Sequence, residues 1–368
     1  MGPVNAAVYS EISEVLTHYD LGELVQFEQN LLGYNNTNFG IRTEKQGASK
    51  GYFFRRYKAE ILPEEIVFEH AVTDHLLDQD ICQVARVHRT KDAGTFHVRQ
   101  ADDRSLPPVY YAVFDFLEGE DRYTWIDPHL SPAELENAAE VLAHFHHAVT
   151  GFSPPGRRVE PKILDLLPQI AENLQLVEKA SKGSVFDKML EENLHLLLDD
   201  CSQMQAYCAA VDWSAAPEMV VHCDFHPGNL KFSGEQVVGL FDFDWSKIDL
   251  RCFDVGLAIW YLTHWDGDLD GIIRLPESIH FLQTYQETLA NLPNLAPLDE
   301  FESRHIPVMI NLGNLFILNW TVTDFYATSA DADEYLQYLQ HSINFCRWFT
   351  TRGRNFIEEF LISPLQAG

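Results

Sequence analysis

Basic residues are scarce in this chain. Of its 368 residues, 26 are Lys or Arg and 55 are Asp or Glu, a formal net charge of −29. Proteins that bind a polyanion rely on a positive footprint, so the charge argues against a nucleic-acid partner. Cysteine is sparse as well. Cys82, Cys201, Cys208, Cys223, Cys252 and Cys346 are scattered, with no CxxC pair and no metal-type spacing. That pattern predicts reduced, largely buried thiols. No uninterrupted apolar run approaches the about 18 residues of a membrane span. Residues 1–20 carry Glu11, Glu14 and Asp20 where a secretory signal would have its apolar core. The expectation is a soluble, cytoplasmic protein with neither a membrane nor a nucleic-acid partner; oligomeric state is left open. Internal repeats, low-complexity tracts and a Pro/Ser-rich linker are all lacking.

What is present is a foldable composition, 46% apolar and 22% charged, as in packed globular proteins. The length exceeds a typical single core, so two lobes are expected. The first third reads as short strands at 24–29, 38–43 and 51–58, then a helix opened by Pro63 and early acids, then an aromatic strand over 107–120. After Gly119 the pattern turns helical: 131–152, 161–178 and about 184–210. A β-like island at 219–244 interrupts it, and from about 252 the chain reads as helix again. The predicted class is α+β, with a small β-rich lobe over residues 1–117 and a larger, mostly helical lobe over 118–368. The absence of a flexible linker suggests that the lobes close on a shared cleft.

Residues 219–256, MVVHCDFHPGNLKFSGEQVVGLFDFDWSKIDLRCFDVG, carry the chemistry. His222, Asp224 and Asn229 share one loop as H-x-D-x-x-x-x-N, and a hairpin then delivers Asp242 and Asp244 at a strand end. Phosphoryl transfer needs little covalent chemistry from a protein; it needs positioning, charge neutralisation and a group to orient the attacking hydroxyl. One loop carboxylate can take the hydroxyl proton while a side-chain amide five residues on holds a magnesium ion. A carboxylate on the following strand can hold that ion from the other side, because magnesium takes hard oxygens and keeps several waters. Taken singly, each residue could as well hydrogen-bond a turn; the whole set, bounded by apolar strands, favours chemistry.

The segments HCDFHPGN and LFDFD, supported by CFDVG, resemble the catalytic core of the aminoglycoside phosphotransferase and choline kinase superfamily, which includes homoserine kinase-like enzymes. The resemblance implies a bilobal protein-kinase-like fold, ATP and Mg²⁺ as cofactors, and a small-molecule hydroxyl as acceptor. It makes Asp224 the catalytic base, His222 a brace for the loop, and Asn229 and Asp242 magnesium ligands. Asp254 matches a family Asp that holds the loop from the next helix, and His146 a packing or bracing residue of the preceding helix. Asp244 stays open between metal, acceptor and neither.

The strand YFFRRYK offers Arg55 and Arg56, and strand alternation lets only one point to a given side. Alignment by resemblance selects Arg55 for the nucleotide phosphates with Glu69 as its partner, where most kinase-like proteins have Lys. Arg grips phosphate in a bidentate way but needs more room. The turn LLGYNNTNFGI has Gly33 and Gly40 but no G-x-G-x-x-G. Asn36, Thr37 and Asn38 can donate hydrogen bonds to phosphates there, and a plain hairpin turn explains them nearly as well. By position, the backbone from Phe116 to Glu118 is the candidate adenine contact. For the acceptor, Trp260, Tyr261, Trp265, Asp266, Asp268 and Asp270 would suit an ammonium, although helical core and a solvated turn account for them more simply. Asn319 and Asp324 are further candidates.

The resulting expectation is a small-molecule kinase acting on an amine-bearing alcohol, homoserine first. Choline, ethanolamine, aminoglycoside, methylthioribose and hydroxylysine remain alternatives of the same class. A non-catalytic kinase-like scaffold is the alternative from another class, against which the joint presence of Asp224, Asn229 and Asp242 argues. LFDFD lacks the glycine of a protein-kinase metal loop, and no A-P-E-like segment follows it, which speaks against a protein kinase.

Overall fold

The computed structural model describes residues 3–30, 36–81, 83–100, 106–179, 183–328 and 332–362. These form two compact units. One comprises Met1–Glu120, Ser153–Val159 and Val238–Phe241; the other comprises Asp121–Phe152, Glu160–Val237 and Asp242–Gly368.

The first unit is a five-stranded sheet in the order β1-β2-β3-β5-β4, with strands β1 (Glu23–Asn30), β2 (Thr37–Lys45), β3 (Ala48–Arg56), β4 (His97–Arg99) and β5 (Val109–Asp115). Gln46 and Gly47 join β2 to β3 with φ of 54° and 81°, the two left-handed positions that let a two-residue hairpin match the strand twist. β5 is shorter than the pattern over 107–120 suggests. Pro107 and Pro108 cannot donate to a ladder, and the chain turns at Gly119 with φ 125°.

Helix α1 (Pro3–Leu16), which the sequence patterns did not reveal, buries Ile12, Val15 and Leu16 against Phe39, Ile41, Phe54, Tyr111 and Val113. Helix α2 (Pro63–Asp78) places Ile66 in a second cluster with Tyr57, Tyr110, Ala112 and Phe114. Adjacent residues of β5 thus enter different clusters, as a period of two requires. The same alternation separates Arg55 from Arg56. Arg55 meets α2 through Glu69, while Arg56 lies 3.4 Å from Glu11 of α1.

The second unit is mainly helical: α3 (Pro132–Ala148), α4 (Ile163–Lys179), α5 (Val185–Ala209), α6 (Arg251–Trp260), α7 (Leu275–Ala290), α8 (Glu300–Ala327) and α9 (Ala332–Trp348). The β island of the chain contains β6 (Glu218–Val221), β7 (Leu230–Ser233), β8 (Gln236–Leu240) and β9 (Lys247–Leu250), and of these β8 is divided, its residues from Val238 on belonging to the first unit. β6 pairs with β9 and β7 with β8. Ser131 and Glu134 form a reciprocal cap at the start of α3, as the Ser-Pro signal predicts. α8 is long and apolar enough to cross a membrane, yet 83% of its most apolar stretch is buried inside the protein. The five described cysteines are free thiols, and four of them are buried.

α6 lies directly on α8. A Cβ at Gly256 would come within 2.6 Å of Met309 Cβ and 2.7 Å of its carbonyl carbon. Arg251, at the start of α6, donates from Nε to Glu302 Oε1 at 2.8 Å and from Nη1 to the Ala296 carbonyl at 2.7 Å. Because overpacking a tight contact costs roughly 1–3 kcal/mol, Gly256→Ala is expected to lower the urea midpoint of the chain. An unchanged midpoint would show that α6 and α8 have slack.

Candidate active site

The loop after β6 is built around one carboxylate. Asp254, in the first turn of α6, is fully buried. Its Oδ2 accepts the His222 amide at 2.9 Å and its Oδ1 the Cys223 amide at 2.7 Å. His146 of α3 lies with Nε2 3.0 Å from Oδ2 and Nδ1 2.7 Å from the Tyr285 hydroxyl. Since the carboxylate accepts, Nε2 carries the proton and the Tyr285 hydroxyl donates to Nδ1. Burial alone would raise the Asp254 carboxyl, but the hydrogen bonds from His146 and from the His222 amide hold it below the usual range. Cys223 takes φ 60°, a left-handed conformation costly for a residue with a side chain, which persists because the Asp254 contact fixes its amide. The His222 ring is buried among Phe145, Phe225 and Phe243.

Asp224 projects from this loop with an 18% exposed side chain. Its two oxygens are held separately. Asn229 Nδ2 donates to Oδ2 at 2.9 Å and also to the Asp224 carbonyl at 2.9 Å. The Tyr261 hydroxyl donates to Oδ1 at 2.5 Å, and His226 Nε2 lies 3.6 Å from the same oxygen. Burial would raise the carboxyl, and His226 and the Tyr261 hydrogen bond outweigh it, so Asp224 stays below the ordinary carboxylate range. Tyr261, buried beside that charge, is driven well above the usual phenol range.

Tyr261 did not stand out as a partner of Asp224 in the sequence, where it reads as helical core. Its spacing from Asp254 does hold a signal: seven residues on a helix return to the same face, so one face of α6 and its C-cap grips the loop twice.

Asp242 opens the 3-10 turn Phe243–Trp245 just past β8 and takes φ 63°, another left-handed position. Asp244 lies within that turn. With its amide nitrogen committed to Asp224, Asn229 leaves its amide oxygen as the donor for a hard cation. Asn229 and Asp242 are therefore chemically suited to magnesium, which commonly takes one or two protein oxygens and completes its shell with phosphates and water. Among the described residues no group of three His, Cys, Asp or Glu side chains is placed to hold a metal ion.

In the first unit, Arg55 is 7% exposed. Its Nη1 donates to Glu69 Oε1 at 2.9 Å and its Nε to Asn38 Oδ1 at 3.1 Å. Asn38 is the cross-strand partner of Arg55. The guanidinium lies within 5.8 Å of the Phe53, Tyr57 and Phe114 rings, and Tyr57 donates to Glu69 Oε2 at 3.1 Å. Thr37 Oγ1 accepts from Arg56 at 3.3 Å and Asn36 Oδ1 from the Lys58 amide at 3.0 Å. Gly33 lies outside the described residues, and Gly40 is in the interior of β2. Phe116 and Glu118 are exposed just beyond β5.

Beside Tyr261 the rings gather. Trp125 lies 6.2 Å from Tyr261, 5.1 Å from Trp265, 6.1 Å from Trp320 and 4.2 Å from Tyr338. Trp125 was absent from the sequence-derived candidates because it precedes the helices that carry the other rings. Trp260 is core, its indole donating to Asn314. Asp266 and Asp268 are exposed, whereas Asp270 is held by His341 at 2.6 Å and Asn344 at 2.8 Å. Asn319 accepts from Asn173, and Asp324 from Tyr335 and Thr328.

A five-stranded unit, a mostly helical unit and a carboxylate loop pinned from the next helix together define a phosphotransferase of the kinase-like type. The chain belongs to the phosphotransferase enzyme family, whose model matches residues 26–301. It is similar to homoserine kinase from Rhizobium johnstonii, 27% identical over 91% of this chain and 95% of that one. Homoserine kinase from Zymomonas mobilis is 26% identical over 77% and 80%. Among solved structures, a microcompartment-associated aminopropanol kinase aligns over 94% of this chain and 98% of its own, at 16% identity and a TM-score of 0.64. Choline kinase from Cryptosporidium parvum aligns over 97% and 98%, at 12% identity and a TM-score of 0.62. The protein is a small-molecule kinase that phosphorylates the hydroxyl of a small metabolite.

Hydrogen bonds to charged groups contribute about 1.5–3 kcal/mol, and each 1.36 kcal/mol is tenfold in rate. Tyr261→Phe is accordingly expected to lower kcat by roughly tenfold or more with the KM for ATP unchanged, as read by steady-state ADP release. Unchanged kcat would show that Asn229 alone orients Asp224.

Proposed function

We propose that the chain is an ATP- and Mg²⁺-dependent cytoplasmic kinase whose acceptor is an amine-bearing alcohol, homoserine in the first instance. The observation that carries this reading is the Asp224 carboxylate, presented from a pinned loop with each oxygen gripped by a different donor. Full-length similarity to homoserine kinases supports the choice of acceptor. In this reading residues 1–117 form the nucleotide-binding lobe and 118–368 the catalytic and acceptor-binding lobe.

Asp224 accepts the proton of the acceptor hydroxyl as its oxygen bonds to the γ-phosphorus and the bond to the leaving ADP oxygen breaks. Held below the usual carboxylate range, Asp224 is a weak base and a strong orienting anion. That suits a loose transition state in which little proton transfer is needed before the phosphoryl group departs. Asn229 and Asp242 hold magnesium, which when bound neutralises charge on the phosphates. Arg55 is assigned to the nucleotide phosphates, kept in place by Glu69 and Asn38; Asn36 and Thr37 shape the adjoining turn, and the backbone at Phe116 to Glu118 receives adenine. His222 and Asp254 keep the loop in shape.

A second reading within the class follows from the rings around Trp125. Aromatic faces attract ammonium groups, most strongly when desolvated, so choline- or ethanolamine-like acceptors compete with homoserine. A panel of these alcohols with an aminoglycoside, methylthioribose and hydroxylysine, scored by ADP release, separates them by kcat/KM.

Positioned general bases contribute about 10²–10⁴-fold. Asp224→Ala is expected to lose activity on that scale while Mg·ATP still raises the melting temperature of the variant. Normal turnover in Asp224→Ala would exclude this mechanism. No stabilisation of the wild type by millimolar Mg·ATP would favour a non-catalytic scaffold.

A further inference from the structure

His226 stands two residues after Asp224 and opens the 3-10 turn Pro227–Asn229. Its Nδ1 accepts the Gly228 amide at 3.0 Å. A ring nitrogen that accepts carries no proton, so the imidazole proton sits on Nε2. Nε2 lies 3.6 Å from Asp224 Oδ1, farther than the about 3.2 Å of an ordinary N–H···O bond. The donor is thus next to the carboxylate without being spent on it. The ring is held on both sides. The Tyr261 ring lies 4.7 Å away between centroids. A Cβ at Gly228 would come within 2.9 Å of His226 Cε1 and 3.2 Å of Thr124 Cα, so the missing side chain at 228 leaves room for the imidazole. Neither partner is sealed from solvent: the His226 side chain is 9% exposed and that of Asp224 18%.

Oδ1 of Asp224 has two lone pairs, and the Tyr261 hydroxyl takes one, which leaves one for a donor from the acceptor. Alone, the carboxylate would take the ammonium of an amine-bearing alcohol in preference to its hydroxyl, because charge-assisted hydrogen bonds are roughly twice as strong as neutral ones. That would put nitrogen where the reacting oxygen belongs. The Nε2 proton changes the choice, since Oδ1 and Nε2 together offer one acceptor and one donor to a single atom. A hydroxyl both donates and accepts, so its oxygen can sit about 2.8 Å from each. An ammonium only donates and would set its N–H against that of His226.

We propose that His226 determines which end of the acceptor meets Asp224, admitting the hydroxyl and turning the ammonium away. The inference rests on the reading of Asp224 as the base and of the acceptor as an amine-bearing alcohol. During transfer the hydroxyl proton passes to Asp224 as the oxygen bonds to the γ-phosphorus and the bond to the ADP oxygen breaks; the His226 proton stays on Nε2. With its proton on Asp224 and one lone pair on His226, the hydroxyl keeps its other lone pair for phosphorus, an effect of orientation. Selectivity here comes from a contact built against the wrong group.

The test uses the full chain and butylamine, an ammonium with no hydroxyl, in isothermal titration calorimetry. His226→Asn keeps an oxygen for the Gly228 amide and removes the donor beside Asp224, whereas His226→Gln keeps an N–H at the Nε2 position. His226→Asn is expected to bind butylamine about tenfold or more tightly than the wild type, as a charge-assisted hydrogen bond gained at Asp224 implies. The gain should be absent in His226→Gln and lost again in the double variant with Asp224→Asn. Equal affinity of wild type and His226→Asn, or a gain that survives in the double variant, would overturn the proposal. Asp224→Asn alone keeps the test decisive if His226→Asn fails to fold: it should leave the butylamine affinity of the wild type in place, and a tenfold loss would put the ammonium on Asp224 beside His226 and overturn the proposal. Homoserine turnover by the wild type, read by ADP release, checks the underlying reading separately. Its absence would count against that acceptor, while the titrations, which need no turnover, still decide on His226.

Discussion

The buried carboxylate of Asp254 is the contact on which the candidate active site depends. It accepts two consecutive backbone amides, those of His222 and Cys223, and the imidazole of His146. A buried charge of this kind is costly unless its lone pairs are filled, and here three donors fill them. The same contacts hold Cys223 in a left-handed conformation and so set the direction in which Asp224 leaves the loop. Through His146 and Tyr285, the constraint extends to α3 and α7. The position of Asp254 in the first turn of α6 adds the favourable end of the helix dipole.

Charge is distributed unevenly around this framework. A chain of net charge −29 repels anions at long range, so any anionic substrate must be met by local cations. Arg55 is the cation proposed for that role, and it is held on several sides. Glu69 and Asn38 take two edges of its guanidinium, and aromatic rings flank its faces. Burial makes these contacts stronger than exposed ion pairs, which contribute about 0–1 kcal/mol. Elsewhere some acids are satisfied internally: Glu302 by Arg251, Asp270 by His341 and Asn344, Asp249 by Lys247.

Much of the architecture was legible in the amino-acid order. Strands β1, β2, β3 and β5 of the first unit, α2, the capped start of α3 and the β island announce themselves through alternation, Pro and Ser signals, and turn residues, whereas the three-residue β4 does not. α1 did not, because its buried positions Ile12, Val15 and Leu16 are too few to establish a period, and its packing partners lie on β2, β3 and β5. Among the candidate site residues, Asp224, Asn229 and Asp242 stood out by local spacing. Tyr261 and Trp125 did not, because their partners are far away in the chain. Tyr261 reaches Asp224 across 37 residues, and Trp125 meets rings that follow it by more than a hundred.

The sequence by itself pointed to the type of chemistry, since the spacing within residues 222–242 brings a loop carboxylate, a side-chain amide and a strand-end carboxylate, the set proposed for phosphoryl transfer, onto neighbouring turns of one short stretch. It also determined that Arg55 and Arg56 part company, because strand alternation allows nothing else. Only the tertiary structure decided which groups hold these residues in place. Hydrogen bonds from Tyr261 to Asp224, from Asn38 and Glu69 to Arg55, and from two amides and a histidine to Asp254 join segments distant in sequence. Such pairings arise from packing, in which a buried polar group must find whatever partner the fold brings within reach.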